Sequence, residues 1–194
     1  MGDTNCRFAT VPITPDTKDW TWVLARPCPE CGFDAATYPR ESYAKNVREN
    51  AAAWTVVLAG ANLSVRPNDD TWSVLEYGCH VRDVFRVMDG RLRLLLDQDG
   101  PVFQNWDQDE TALEERYDLQ NATIVAGELR DAAADFADRW DSVAPPQWDR
   151  AGTRSNGSPF TVATLGVYGL HDVIHHLWDV SSPKEKATPG TAPE

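Results

Sequence analysis

The sequence predicts an all-α protein, a four-helix bundle that carries an irregular N-terminal arm. Four long segments of the 194-residue chain have apolar residues at spacings of three and four, which line them along one face of an α-helix. Connections of short or medium length, several of them rich in Gly and Pro, separate these segments. Amphipathic helices joined in this way bury their apolar faces by packing together as a bundle.

The first two helices are predicted from the signals at their ends. The first should begin after Pro39 and end near Ala59, where Gly60 lies close to its C-terminal cap. A Ser-x-x-Glu capping box at residues 73–76 should start the second, which continues to about Leu96. Both helices therefore have local start or stop signals in addition to their apolar period.

The last two helices follow an acidic connection that has room for one helical turn at residues 110–116. The third should span about residues 118–143 and end before two consecutive prolines. Residues 146–160 are expected to form a loop. Thr161 is a suitable N-cap for the fourth helix, which should end near Val180.

The predicted bundle occupies residues 39–180, with one segment on either side of it. Residues 1–38 lack a helical period and are expected to form an extended arm, in which the apolar alternation of residues 20–24 allows a short strand. Residues 181–194 are rich in Pro, Lys, Thr and Ala without periodicity, and we expect them to be disordered. A chain of this length suits one well-cored domain.

Composition excludes several classes of function. The net charge is −12, from 18 basic and 30 acidic side chains, and no local basic patch offsets it, so nucleic-acid binding is not expected. No apolar run reaches the roughly 20 residues of a membrane span, and no signal peptide is visible, so a cytoplasmic protein that does not bind membranes is expected. The expected partner is a small-molecule substrate, and a homodimer is left open.

Histidine spacing predicts a metal site. His171 and His175 are four residues apart and share one helix face, so both can bind one divalent cation. His80 lies on the second helix, which a bundle can place opposite the fourth. The predicted ligands are therefore His80, His171 and His175. The plainer interpretation of His80 alone is a partly buried histidine bonded to a polar neighbour, and histidines at i, i+4 spacing also occur in helices by chance. His176 and Asp172 are expected outside this ligand set, as surface or outer groups.

The N-terminal arm contains the sequence Cys28-Pro-Glu-Cys31-Gly, which is half of a zinc knuckle. A complete knuckle needs two further ligands, and neither Cys6 nor Cys79 belongs to a second pair with that spacing. Cys28 and Cys31 are therefore predicted as a second metal site or a redox site, with a plain structural turn as the alternative. Disulfides are not expected in a cytoplasmic protein.

Two motifs carry a family resemblance. The segment Trp72–Asp83, with a W-S-x-x-E…H pattern, and the later H-x-x-x-H of His171 and His175 resemble the DinB-like metal-binding four-helix bundles, over about residues 40–180. This family is related to the N-terminal domain of mycothiol-dependent maleylpyruvate isomerase. The resemblance implies that His80, His171 and His175 bind zinc or nickel. It also implies a low-molecular-weight thiol cosubstrate. One ligand is a Glu in the mycothiol type, and His171 stands there in this chain.

The leading functional hypothesis is a metal-dependent enzyme that acts on a small molecule, in the form of a mycothiol-type S-transferase. Three nitrogen ligands leave a coordination position open, as at catalytic centres. A metal-dependent hydrolase and a non-catalytic metal- or ligand-binding bundle are the alternatives. No catalytic residue is assigned beyond the metal ligands, while Tyr77, Tyr168 and Trp178 are candidates for the pocket wall.

Overall fold

The structure is a computed structural model that describes residues 13–14 and 19–181. Within these residues the helices and strands run in the order α1 (Tyr43–Val57), α2 (Val74–Asp97), β1 (Val102–Phe103), α3 (Gln108–Glu114), α4 (Ala122–Asp141), β2 (Ala151–Arg154), β3 (Pro159–Thr161) and α5 (Val162–Ser181). Short 3₁₀ helices lie at Trp20–Leu24, Ala35–Thr37, Arg40–Ser42, Tyr117–Leu119 and Pro145–Gln147. No described helix is both long enough and apolar enough to cross a membrane.

The four long helices α1, α2, α4 and α5 form the predicted four-helix bundle. Helices α1 and α2 each pack against both α4 and α5. Helices α1 and α2 therefore lie diagonally across the bundle, as do α4 and α5. Their bounds fall within about one turn of those predicted from the sequence. The bundle prediction is confirmed, and it brings α5 against α2, the helix that carries His80.

The bundle core consists of large apolar side chains from all four long helices. Trp54, Phe85, Leu129 and Leu165 represent α1, α2, α4 and α5 in it and are almost completely buried. Each such side chain stabilises the fold by about 1.5–3 kcal/mol relative to an exposed one. The apolar stripes therefore supply the packing that positions polar residues elsewhere on the same helices.

The predicted capping box starts α2. The Ser73 hydroxyl accepts a hydrogen bond from the Glu76 amide, and the Glu76 carboxylate accepts one from the Ser73 amide. Glu76 also pairs with the guanidinium group of Arg66. Burial alone would raise the pKa of Glu76, but hydrogen bonds from Arg66 and Ser73 outweigh it and lower that pKa. These contacts hold the N-terminal end of α2 one turn before His80.

The arm differs from the expectation at residues 20–24, which form a 3₁₀ helix instead of the short strand that the alternation allowed. Asp19 explains the difference, because its side chain accepts a hydrogen bond from the Thr21 amide at 3.0 Å and caps a helical turn. The arm packs on α5 through this turn. It therefore forms part of the surroundings of the histidines.

A small sheet in the order β1-β2-β3 replaces much of the predicted loop at residues 146–160. Strand β2 pairs in parallel with β1 and antiparallel with β3. A Cβ on Gly152 in β2 would lie 2.7 Å from both the Leu95 side chain and the Pro101 carbonyl oxygen, so a glycine is required where this strand crosses the end of α2. Strands of two to four residues are too short to show an alternation in the sequence.

Two predictions concern residues outside the described part of the chain. They are the disordered tail, of which only residue 181 is described, and the extended arm over residues 1–12 and 15–18. Both stay predictions.

Candidate metal centre

Helix α5 carries two pairs of potential ligands at i, i+4 spacing, His171 with His175 and Asp172 with His176. Within the described residues, each pair belongs to a separate group of potential metal ligands. In each group, one ligand atom from every residue lies within 4.8 Å of the ligand atoms of the other residues. The first group is His80, Asp172 and His176, and the second is Cys28, Cys31, His171 and His175. Adjacent helix positions point about 100° apart, so one stretch of α5 serves both groups.

In the first group, a carboxylate lies between two imidazoles. Asp172 Oδ1 is 3.3 Å from Nε2 of His80 and 3.2 Å from Nε2 of His176. The two imidazole rings meet nearly at right angles, with their centroids 4.7 Å apart. Two nitrogen atoms and one oxygen atom from α2 and α5 therefore converge on one small volume.

Aromatic side chains fix the ring of His80, which is fully buried. The ring of Trp106 stacks on it at 5.3 Å with an interplanar angle of 3°, and Trp72 lies 5.2 Å away on a tilt. Its Nδ1 atom is buried and has no hydrogen-bond partner among the described residues. Burial lowers the pKa of His80, which favours the neutral imidazole that metals bind.

Asp179 holds the other side of His176. Its Oδ2 atom lies 3.0 Å from His176 Nδ1, while His176 Nε2 faces Asp172. Burial would lower the pKa of His176, but hydrogen bonds to Asp172 and Asp179 outweigh it and raise this pKa to about 9. The pKa of Asp172 is lowered by His176 and His80 against the opposing effect of burial. A carboxylate on the far nitrogen of an imidazole is the usual outer support of a metal-binding histidine.

In the second group, the arm meets the other face of α5. Cys28 Sγ lies 3.7 Å from His175 Nδ1, and the rings of His171 and His175 are 5.2 Å apart. Both histidines are more than nine-tenths buried. Burial lowers the pKa of His171 to about 4 and lowers that of His175 as well, so both imidazoles are neutral at pH 7.

The predicted three-histidine set is divided between these groups. His171 and His175 lie together, as their spacing predicted, but His80 lies with Asp172 and His176 instead. The reason is the rotation of α5, which turns positions 172 and 176 toward α2 and positions 171 and 175 toward the arm. The carboxylate of Asp172, one residue beyond His171, takes the place in the group of His80 that His171 was predicted to fill. Which of these residues bind an ion stays a prediction.

Asp172 and His176 were predicted to lie outside the ligand set. Their i, i+4 spacing was a usable signal, because it equals that of His171 and His175. The helical period does not reveal which of two adjacent pairs faces α2. Only the packing of α5 decides between them.

A cavity of about 250 Å³ opens beside both groups. Its described lining includes five carboxylates and no Lys or Arg; these acidic residues are Glu30, Asp70, Asp109, Asp172 and Asp179. Tyr77 and Tyr168 also line it, as the sequence suggested, whereas Trp178 packs on the ring of His175 at 5.6 Å and is not among the lining residues described. The cavity is therefore electronegative, with aromatic side chains in its wall.

The fold and this side-chain arrangement define a class, the four-helix bundles with a candidate metal centre between helices. The model of the DinB superfamily matches residues 43–180, which is most of the chain. The chain belongs to the DinB superfamily. The family resemblance noted in the sequence is thereby confirmed.

Two solved structures share the fold. YfiT from Bacillus subtilis, described as a probable metal-dependent hydrolase with an unusual four-helix bundle topology, has a TM-score of 0.65 and 16% identity, over 73% of this chain and 85% of YfiT. The mycothiol-dependent maleylpyruvate isomerase has a TM-score of 0.59 and 11% identity, over 76% of this chain and 63% of the isomerase. No curated protein matches the sequence.

Proposed function

We propose that the protein is a divalent-metal-dependent enzyme that acts on a small molecule, with His80, Asp172 and His176 as the metal ligands. The observation that carries this proposal is the convergence of two imidazole nitrogens and one carboxylate oxygen beside a cavity. Catalytic zinc centres commonly use three protein ligands of these types and keep a position for water or substrate. Structural centres are usually closed by four protein ligands.

The side chains of the first group fit a divalent cation. The pKa of His80 favours its neutral form, and Asp172 supplies negative charge between the two imidazoles. The raised pKa of His176 means that a bound cation would displace a proton from this ring. Asp179 orients His176 through Nδ1, which leaves Nε2 to face the centre. Nitrogen and oxygen donors in this ratio suit zinc and nickel alike, so the ligand set supports both metals.

The reaction class that we propose is transfer of a low-molecular-weight thiol to an electrophilic small molecule. A divalent cation at this site supplies Lewis acidity, which lowers the pKa of a bound thiol or water. Carboxylates of the cavity wall, such as Glu30 or Asp109, accept the proton that the thiol loses. The thiolate sulfur then forms a bond to an electrophilic carbon of the substrate. The electron pair displaced from that carbon departs with a leaving group in a substitution, or takes up a proton in an addition.

The charge of the cavity restricts the thiol. The five carboxylates of the lining, which has no Lys or Arg among the described residues, disfavour anionic ligands. A thiol without carboxylate groups is therefore favoured over glutathione, which carries two. The fold shared with a mycothiol-dependent enzyme supports the same choice.

A metal-dependent hydrolase is the second candidate. The likeness to YfiT supports it, and the same wall carboxylates would accept a proton from water as readily as from a thiol. The two reactions differ in the nucleophile and not in the ligands. An assay with and without thiol therefore separates them.

The test uses protein purified without a histidine tag and reconstituted with zinc or nickel. Consumption of monochlorobimane is measured with mycothiol, with glutathione and without thiol, alongside a panel of ester and amide substrates. The proposal predicts metal-dependent turnover with mycothiol that falls by about 100-fold or more in His80→Ala. The matched control Asp138→Asn, an exposed side chain on α4 paired with Arg48, should retain full activity.

Other outcomes decide the remaining alternatives. Turnover of an ester or amide without thiol identifies the hydrolase. Loss of activity in Asp138→Asn to the same degree as in His80→Ala would contradict the assigned ligands. Absence of turnover across the panel, in protein that holds metal, would favour a non-catalytic binding protein.

A further inference from the structure

The arm contains a tight turn that places two thiols on one side. The Gly32 amide donates to the Cys28 carbonyl at 3.0 Å, and the Cys28 amide donates to the Phe33 carbonyl at 2.8 Å. Gly32 has a φ of +73°, a left-handed conformation that favours glycine. These features are those of half a zinc knuckle, in which both sulfurs face one point.

The two ligands that the sequence lacks come from α5. The sulfur of Cys28 lies 3.7 Å from His175 Nδ1, and Cys31 and His171 complete a group whose ligand atoms lie within 4.8 Å of one another. Bonds of about 2.3 Å to sulfur and about 2.0–2.1 Å to nitrogen at a tetrahedral angle put these atoms about 3.6 Å apart. The observed separation therefore matches that of two ligands on one zinc ion.

The imidazole nitrogens are arranged as metal ligands require. Nε2 of His171 is buried and has no hydrogen-bond partner among the described residues, and that ring is only 4% exposed. For His175, Nδ1 faces the sulfur, while Nε2 lies 3.6 Å from Glu30 and 3.8 Å from Asp179. A carboxylate on the nitrogen that faces away from the metal is the usual outer support.

Aromatic rings pack against the two imidazoles of this group. Trp20 lies 5.5 Å from the ring of His171 and 5.3 Å from that of His175. Phe33 meets the ring of His171 edge-on at 5.4 Å. Cys28 is also buried, with 2% of its surface exposed. Cys31 is partly buried and the other three residues are buried. Two thiols and two imidazoles are a complete tetrahedral donor set with no position left for substrate.

We propose that Cys28, Cys31, His171 and His175 form a second, structural zinc site, which fastens the N-terminal arm to α5. This site is separate from the group proposed for catalysis, and it does not depend on the enzymatic function. Its role follows from the contacts of the arm, since Trp20 and Glu30 also line the cavity. The zinc ion would hold that wall of the cavity in place.

The first test measures metal content and ligand type in the full chain. Protein purified without a tag should retain about one tightly bound zinc per chain after dialysis against a mild chelator, by elemental analysis. Protein loaded with cobalt(II) should show a thiolate-to-cobalt charge-transfer band and the visible bands of tetrahedral cobalt. Absence of the charge-transfer band from the wild-type protein, or a Cys28–Cys31 disulfide found by mass spectrometry of alkylated protein, would overturn the proposal.

The second test separates the two groups. The double variant Cys28→Ser/Cys31→Ser should lose the charge-transfer band and about one equivalent of tightly bound zinc. His80→Ala should keep both, because His80 belongs to the other group, and Cys79→Ala should keep both as a cysteine control. If His80→Ala abolishes activity and leaves the cobalt band intact, both proposals stand. If Cys28→Ser/Cys31→Ser keeps the band while folded by circular dichroism, the structural site is excluded and the catalytic proposal is unaffected.

Discussion

His80 Nε2 on α2 lies 3.3 Å from Asp172 Oδ1 on α5, and this pair joins the two helices at the candidate catalytic centre. The same carboxylate oxygen lies 3.2 Å from His176 Nε2. Asp172 therefore occupies the middle of the group. Changes at this residue should affect metal binding more than any other conservative change in the cavity.

Asp172→Asn should weaken metal binding at the first group by at least about 100-fold, because it removes the negative charge between two imidazoles and keeps the size of the side chain. Competition with a chromophoric chelator measures this affinity. Asp138→Asn, on the exposed face of α4, is the control. An unchanged affinity in folded Asp172→Asn would contradict its assignment as a ligand.

Asp179→Asn should lower metal affinity by about 10–100-fold and leave the ligands themselves in place. The cause is the loss of the carboxylate that lies 3.0 Å from His176 Nδ1 and fixes the ring orientation. The chelator competition applies again, with Asp179→Glu as the conservative variant that should recover part of the loss. Equal affinities for wild type and Asp179→Asn would show that Asp179 does not position His176.

Asp83, three residues after His80 on α2, is the centre of a buried polar network. Its carboxylate accepts hydrogen bonds from the Tyr117 hydroxyl at 2.6 Å and from Nε and Nη2 of Arg82 at 2.8–2.9 Å. Asp83→Asn should lower the free energy of unfolding by about 3 kcal/mol, since it leaves a buried guanidinium poorly compensated. Tyr117→Phe, which removes one hydrogen bond, should cost about 1 kcal/mol. Urea denaturation measures both.

The same network predicts an acid dependence. Burial would raise the pKa of Asp83, but hydrogen bonds from Arg82 and Tyr117 outweigh it and lower that pKa below 3.8. A lowered pKa in the folded state contributes stability above the unfolded value, and this contribution is lost as the pH falls through the folded value. The difference in stability between wild type and Asp83→Asn should therefore shrink below about pH 4. A difference that grows on acidification would contradict this sign.

Gly166 marks the closest approach of α5 to α1. A Cβ at this position would overlap the ring of Tyr43 and lie 3.0 Å from Trp140. Gly166→Ala should therefore destabilise the fold by about 1–3 kcal/mol through overpacking. Gly90 is an exposed position of α2, and a Cβ there meets nothing within 4 Å. Gly90→Ala should therefore stabilise the fold by about 0.5–1 kcal/mol. If the midpoint of thermal unfolding shifts in the same direction for both variants, the close packing at Gly166 is contradicted.

The fold was predictable because its signals are local. The apolar stripes and the capping box of Ser73 and Glu76 specify helices within a single stretch of chain, and the bundle follows from their number. The sheet was not predictable, since β1 and β2 pair across about 50 residues and each is very short. The 3₁₀ helix at residues 20–24 depends on one side chain, that of Asp19.

The sequence predicted which kinds of residue could bind a metal, but it did not predict which of them lie together. His80, His171 and His175 all lie in potential ligand groups, and so do Cys28 and Cys31. The sequence cannot show that the arm folds back onto α5, so the missing partners of the two cysteines were invisible. Nor does a helical period fix which face of α5 meets α2.

The most direct test of the central proposal is a crystal structure of the protein loaded with zinc or nickel, with data collected on both sides of the absorption edge of that metal. The proposed ligand set predicts an anomalous difference peak within bonding distance of His80, Asp172 and His176. A peak bound by His171 and His175 together with His80, or no peak between α2 and α5 in fully loaded protein, would contradict it.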